Sequence, residues 1–470
     1  MLNMCAFVGY FDDQNNSAYN ITIQHPKHLF GATALHDTDP SATKDVFEYN
    51  NYAEVVDNPI LYANPDTATF IVDGMEVLIA IYAPHKNISA KKLLPDLKQT
   101  INAQKKYLGK LNTTKKYAIL VYLSTMLADD AKGIGALEHS NATCAVFMES
   151  MSSATLKNVI AHEFFHTVTP LKVHSEEIHN FNFTKPVMSG HLWFYEGVTE
   201  YFAQLFQVNQ GLVSENHFFE VMAGKEEASR EYSDTLSFIE MSKNILDGPM
   251  KEQYPNVYQK GPMIAMCLDI LLREKSGGKE GIEDLVYKLT QLYGSDHPFK
   301  DDELIPSITK ITSPEVGDFL EQHLVQGKRI DYSTYLAKVG LKSMQVPIPE
   351  MSVFMHADQL YLDIDDDKKQ VIATISDTLN QFINTIGLKD GDVLISINGL
   401  KFNADDGTST LMLGSDLQDG QAVKMDIIRD GKKKSLIGKV KLNYIDGAGY
   451  RFVDKDKMFL KNAWLKNPLR

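Results

Sequence analysis

The feature that most constrains this chain is the segment His162-Glu163-Phe164-Phe165-His166, set inside the apolar run from Leu156 to Val168. On a helix, residues four apart share one face, so His162 and His166 project side by side. That spacing lets two imidazoles bind one Zn²⁺ at about 2.0–2.1 Å, with Glu163 beside the pair where a water on the metal would sit. The plainer reading is a helix with two partly buried histidines.

A catalytic zinc takes three protein ligands and leaves one position open. Extending the motif as metzincins do needs Gly at 169 and His at 172, where this chain has Thr169 and Lys172, which excludes that class. His174, Glu176, Glu177 and His179 lie in the loop leaving the helix and are expected to be mostly solvated. Glu196 is the better third ligand. It sits in Leu192-Trp193-Phe194-Tyr195-Glu196-Gly197-Val198-Thr199-Glu200-Tyr201-Phe202, where a carboxylate is costly to bury without a compensating cation. Gly197 is a poor helix residue unless something packs closely on it, such as the metal helix. Glu200, one turn beyond Glu196, fits two roles: acceptor for the second ring N–H of a histidine ligand, or surface charge.

At 470 residues the chain exceeds one ordinary core, which implies about two to four domains. The net charge of −14 argues against nucleic-acid or anionic-membrane partners, which want a basic surface. Cys5, Cys144 and Cys267 are far apart and odd in number, so they read as small buried apolar residues rather than a disulfide framework. No apolar run reaches the length of a transmembrane helix. The apolar start, Met1 to Phe11, has no Lys or Arg before Lys27; it is a poor signal peptide and reads better as a β-strand.

Residues 1 to about 85 are β-rich, with strands over 18–23, 70–72 and 77–82, the last two flanking the turn Asp73-Gly74. A helix is expected over 90–108, then buried strands at 117–123 and 143–148 joined by a loop that holds Gly133 to His139. From Ser152 the pattern turns helical, with Ser152 or Ser153 as cap and Pro170 helping to end the metal helix. Helices follow over 191–208 and near 214–227, 258–275, 280–293 and 314–326. After Pro347 strands return, including a hairpin around Arg429-Asp430-Gly431. The basic end, Arg451 to Arg470 with Trp464, reads as a tail packed on the body. The fold class is α+β multidomain, with the metal helix under a sheet.

HEFFH followed by WFYEGVTEYF resembles the gluzincin clan, and within it the glycyl-aminopeptidase family, which joins a β domain, a thermolysin-like catalytic domain and a PDZ domain. Three further segments carry the likeness. Gly135-Ala136-Leu137-Glu138-His139 is similar to that family's GGLEH segment, with Ala136 in place of the second Gly; Val257-Tyr258-Gln259-Lys260-Gly261 is similar to its tyrosine-x-Lys-Gly segment. Gly387 to Leu394 with Ile397-Asn398-Gly399 resembles the AGLKxGDxIxxING core of bacterial PDZ domains. The likeness spans roughly residues 60 to 445. It implies a remnant of the N-terminal β domain at 1–60, a mixed-sheet and helical zinc peptidase domain at 61–345, a PDZ-like β module at 346–445 and a tail at 446–470. Relatives carry a longer β domain, so the front looks truncated; their export signals would lie in the missing part, and the compartment stays open.

The resemblance implies one Zn²⁺ per chain on His162, His166 and Glu196, with Glu163 as general base on a zinc-bound water and then proton donor to the leaving amine. Tyr258 would donate to the developing oxyanion, unless it is a structural tyrosine at a helix start. Glu138 would bind a free α-ammonium, Gly135 and Ala136 would let the peptide backbone approach an edge strand, and His139 is structural. The substrates implied are peptides with a free, small N-terminal residue. The alternatives are a zinc endopeptidase with the same core, and a peptide-binding PDZ scaffold with a vestigial metal site. The module lacks a clear Gly-Leu-Gly-Phe-like carboxylate loop, so its ligand, a peptide or protein segment, is open.

Overall fold

The computed structural model describes all residues except 12, 13, 15, 40, 87, 126–132, 150, 358, 406, 416 and 467–470. The front of the chain makes two small antiparallel sheets. β1 (Tyr19–Gln24) pairs with β3 (Lys44–Tyr49), and β2 (Phe30–Ala32) with β4 (Leu61–Ala63). The strand expected at the N-terminus does not form. Leu2 makes a single bridge to Ile60 and Met4–Ala6 is a short 3₁₀ turn, because Met4 is drawn into an apolar cluster with Phe47, Tyr49, Tyr52, Val55 and Ile60. Tyr52 and Val55 belong to the short helix α1 (Tyr52–Val56).

A five-stranded sheet follows, in the order β5 (Asp66–Val72), β6 (Met75–Tyr82), β7 (Lys116–Ser124), β9 (Ala142–Met148), β8 (Gly135–His139). β5 and β6 form the expected hairpin, with Asp73 and Gly74 both at positive φ, the geometry of a two-residue turn that matches strand twist. β6, β7 and β9 run parallel, and β7 is buried along nearly its whole length. The segment expected as a loop, residues 135–139, is instead strand β8, antiparallel to β9 and last in the sheet order. Helix α2 (Ala90–Leu108) packs on the sheet face, its first turn closed by the Ser89 side chain accepting from the Lys92 N–H.

The helical block runs from α3 (Ser153–Phe165) through the short α4 (Glu176–His179), α5 (Val198–Asn209), α6 (Glu215–Ser229), α7 (Phe238–Lys243), α8 (Gly248–Lys251) and α9 (Lys260–Ser276). It closes with α10 (Ile282–Leu292), α11 (Leu304–Ile311), α12 (Pro314–Leu320) and α13 (Tyr332–Lys338). α9 is the hub, buried from Lys260 through Arg273. Its Asp269 and Arg273 form a wholly buried ion-pair network with Glu283, and Asp269 also accepts from Tyr201 of α5. The tail ends in a helix at Met458–Lys466, whose buried Trp464 donates to the Tyr201 hydroxyl at 2.7 Å, so this end of the chain docks on the helical block.

Between them, β10 (Leu341–Pro349) and the last strand (Tyr444–Phe452) pair antiparallel along their full length. The boundaries expected at 345/346 and 445/446 therefore fall within this ribbon. It leads to a separate core built on Phe354, Val371, Phe382, Leu394, Met425 and Ile427, wrapped by an antiparallel sheet that contains the hairpin expected around Asp430-Gly431. Mixed α/β architecture with several cores is thus what the chain adopts. Of the cysteines, Cys267 is buried and Cys144 partly so, but Cys5 is exposed and does not follow the expectation.

Candidate metal centre

Helix α3 starts where the Ser152 side chain accepts from the Thr155 N–H, choosing between the two expected caps. It ends at Phe165, with His166 continuing in helical conformation as the C-cap residue. Leu156, Ile160, Phe164 and Phe165 hold it in the core, which leaves His162, Glu163 and His166 buried on one side, facing α5 and β8.

The segment before α5, Trp193–Gly197, winds as one π-helical turn, a distortion often found where a helix must aim a side chain at a site. Gly197 earns its place by close packing, though not against α3 as expected. A Cβ there would stand 2.8 Å from the Gly261 Cα, and one on Gly261 would stand 2.9 Å from the Gly197 Cα. The two glycines let α9 lie directly on the π turn and fix the height of Glu196.

The Nε2 atoms of His162 and His166 lie 3.2 Å apart, and Glu196 Oε2 is 3.3 Å from the first and 3.5 Å from the second. Behind each ring, Nδ1 is engaged: at 2.9 Å from Glu200 Oε2 for His162 and at 2.8 Å from the Thr169 carbonyl for His166. Both of those partners can only accept, so each Nδ1 carries a proton and both Nε2 atoms face inward. Burial lowers the basicity of both rings, yet Glu196 and Glu200 around His162, and Glu196 and Glu138 around His166, outweigh it and lift them to about 10 and about 9. Burial likewise opposes ionisation of Glu196, but the charge of His166 and the hydrogen bonds of both histidines hold it well below the usual carboxylate range. The negative surroundings that draw protons to these rings would equally draw a metal ion, and two inward-facing Nε2 atoms with an ionised carboxylate at one buried point fit a divalent cation of the zinc type in place of those protons.

Glu163 Oε2 is buried with no hydrogen-bond partner, an atom that a water or substrate held at this point would satisfy. Burial lifts the Glu163 carboxyl to about 7 against the pull of His166 and His162. Glu138, on β8, joins Glu163 and His166 in a second group whose ligand atoms lie within 4.8 Å of one another. Gly135 and Ala136 open the same strand, with Gly135 at φ 156° and exposed. Glu200 is not a surface charge: besides His162, it meets Lys225 at 2.7 Å and the Gln204 amide at 3.0 Å. Tyr258 reaches the cluster from the other side, its ring 5.7 Å from that of His162, and burial with the nearby Glu196 charge keeps its hydroxyl protonated. Of the loop residues expected in solvent, His174 is instead buried, bonded to the Pro170 carbonyl at 2.7 Å and stacked on His179.

Two residues of the site are absent from the expectations. Tyr254, one turn before Tyr258, places its hydroxyl 3.0 Å from the Tyr258 hydroxyl; the four-residue spacing in Tyr254-Pro255-Asn256-Val257-Tyr258 was the available signal. Lys225 gave none, because its partners are distant in sequence. Residues 155–264, which carry all of these groups except the β8 strand, match the model of the M61 glycyl aminopeptidase family, and residues 1–64 match that of the M61 peptidase N-terminal domain. Over these two segments the chain is similar to the M61 glycyl aminopeptidase family. The two matched segments, a peptidase family's catalytic and N-terminal regions, bracket the five-stranded sheet. A crystal structure of an aminopeptidase N family protein from Idiomarina loihiensis shares the fold over 97% of this chain and 80% of its own, with a TM-score of 0.65 and 20% identity. A two-domain M1 zinc metallopeptidase mutant bound to L-arginine is more remote, covering 67% of this chain and 64% of its own at 10% identity and a TM-score of 0.45. No curated protein sequence matches the chain.

Proposed function

We propose that this chain is an M61-type zinc aminopeptidase that removes a small N-terminal residue, Gly or Ala, from peptides. The carrying observation is the meeting of two clusters at His166: the inward-facing His162, His166 and Glu196 donors, and the Glu138–Glu163 carboxylate pair beside them. In this reading His162, His166 and Glu196 hold one Zn²⁺, which supplies Lewis-acid polarisation and acidifies water. Glu163 takes the proton from the attacking water at its buried oxygen and returns it to the leaving amine. Its lifted pKa suits a group that must both accept and release a proton.

Glu138 receives the substrate's α-ammonium, and its place on β8 suits this. A peptide laid against the outer edge of β8 runs its backbone past Gly135 and Ala136 toward the metal point, and the missing Gly135 side chain leaves room for it. The Tyr258 hydroxyl donates to the oxygen that gains charge in the transition state. The division into 1–60, 61–345, 346–445 and 446–470 belongs to the same proposal, with the third part a PDZ-like module that accepts an extended peptide by strand addition.

The test is zinc content together with cleavage of free and N-acetylated glycyl and alanyl peptides. One zinc per chain and cleavage of free N-termini alone support the aminopeptidase. Equal cleavage of blocked peptides would make the enzyme an endopeptidase and demote Glu138 to a structural carboxylate.

A further inference from the structure

We infer that Lys225 is a positioning residue that ties the two sides of the centre together, orienting His162 through Glu200 and Tyr258 through its backbone carbonyl. The inference rests on the zinc-peptidase reading above. Lys225 lies in α6, a helix capped by the Ser214 side chain, and its ammonium is drawn inward until only 14% of the side chain is exposed. There it makes two contacts to different elements: 2.7 Å to Glu200 Oε1 on α5, and 3.0 Å to the Tyr258 carbonyl just ahead of α9. An ammonium carries three donors and no acceptor, so one group can serve both oxygens at once.

Each contact governs a different functional group. Glu200 gives Oε2 to the His162 Nδ1–H, while Oε1 takes Lys225 and the Gln204 amide. With both oxygens fixed, the carboxylate cannot rotate, and the imidazole it holds keeps its Nε2 on the metal point. The Lys225 ammonium 2.7 Å away favours the charged form of this carboxylate. An ionised Glu200 is a stronger acceptor, which makes His162 the better ligand. At the other contact, fixing the Tyr258 carbonyl fixes its peptide plane and so the direction in which the ring leaves the backbone. Tyr258 follows a single 3₁₀ turn, Tyr254–Val257, so it needs such an anchor more than a residue inside a long helix would.

α6 is itself pinned. Glu226, the next residue, accepts from the Tyr450 hydroxyl of the strand Tyr444–Phe452, and Arg451 meets Glu220 at 3.6 Å. The lysine therefore projects from a helix held by that strand, a base for two arms, Glu200 and Tyr258, that are 58 residues apart in sequence.

The experiment compares the wild-type full chain with Lys225→Met, Lys225→Arg, Glu200→Gln and the Lys225→Met/Glu200→Gln double variant. It reads zinc affinity by chelator competition, kcat and KM on a free glycyl peptide, and the melting temperature of the metal-free proteins. Lys225→Met is expected to weaken zinc binding and lower kcat, each by about 10–100-fold, with KM changed by no more than about threefold. Lys225→Arg should restore most of the zinc affinity at an unchanged melting temperature. In the Glu200→Gln background, Lys225→Met should cost no further zinc affinity yet still lower kcat, because the Tyr258 arm is independent of Glu200. Zinc affinity and kcat within about twofold of wild type in Lys225→Met would overturn the inference. So would losses that track a lowered melting temperature equally in the Met and Arg variants, which would mark Lys225 as merely structural. If the wild type binds no zinc, the underlying reading fails with it, and that result is separable because it appears before any variant is made.

Discussion

The two ends of this site are built in opposite ways. At the metal end every donor has something behind it: Glu200 and then Lys225 behind His162, the Thr169 carbonyl behind His166, and the Gly197–Gly261 contact behind Glu196. At the end proposed to meet substrate, Glu138 stands on β8, the last strand of its sheet, and among the described residues nothing pairs with its outer edge. Ile134 and Leu137 there are both about half exposed, at 51% and 56%. The difference separates two requirements. The chemistry needs atoms held to within a fraction of an ångström, so it is enclosed and braced. Recognition of varied peptides needs an unpaired edge, so that side is left open.

Substitutions at the two ends should therefore fail differently. Glu163→Gln keeps the shape of the braced end and removes its base; kcat should fall by about 10²–10⁴-fold while zinc content stays at the wild-type level. Loss of zinc in that variant would show that Glu163 holds the centre together rather than serving it. Glu138→Gln acts at the open end. Steady-state kinetics should show kcat/KM on free glycyl peptides falling by about 10–100-fold, carried mainly by KM, with little change for an N-acetylated peptide. An equal fall on both substrates would place Glu138 in the braced half instead. Gly197→Ala returns to the braced end and tests its packing. Because a Cβ meets Gly261 backbone at 2.8 Å, the helices must separate, and chemical denaturation should show a loss of about 1–3 kcal/mol. An unchanged stability with full activity would mean that the contact relaxes freely and does not set the height of Glu196.

The same contrast explains what the sequence made legible. His162, Glu163 and His166 announce themselves through local spacing on one helix, and Glu196 through the cost of a carboxylate among Trp193, Phe194 and Tyr195. Those signals are short-range, and the helices expected around them form close to their expected limits. What stayed hidden depends on contacts between distant segments. Lys225 is an ordinary helix lysine until α6 is laid against α5. The five residues of β8 contain a glycine and lack alternation, so only pairing with β9 makes them a strand. The apolar start reads as a strand by composition, but Met4 finds its partners in Phe47 and Tyr52 and takes a turn to reach them. The π turn at Trp193–Gly197 has no signature in residue periodicity either, and the close approach of Gly197 to Gly261 beside it joins residues 64 apart in sequence.

The central claim is that both imidazoles of α3 present Nε2 to a single metal shared with Glu196. Zinc K-edge X-ray absorption on the stoichiometrically loaded chain measures this directly. The expected spectrum has two imidazole nitrogens and carboxylate or water oxygens at about 2.0–2.1 Å, falling to one imidazole in His166→Ala. A sulfur shell, or an imidazole count unchanged in that variant, would contradict it.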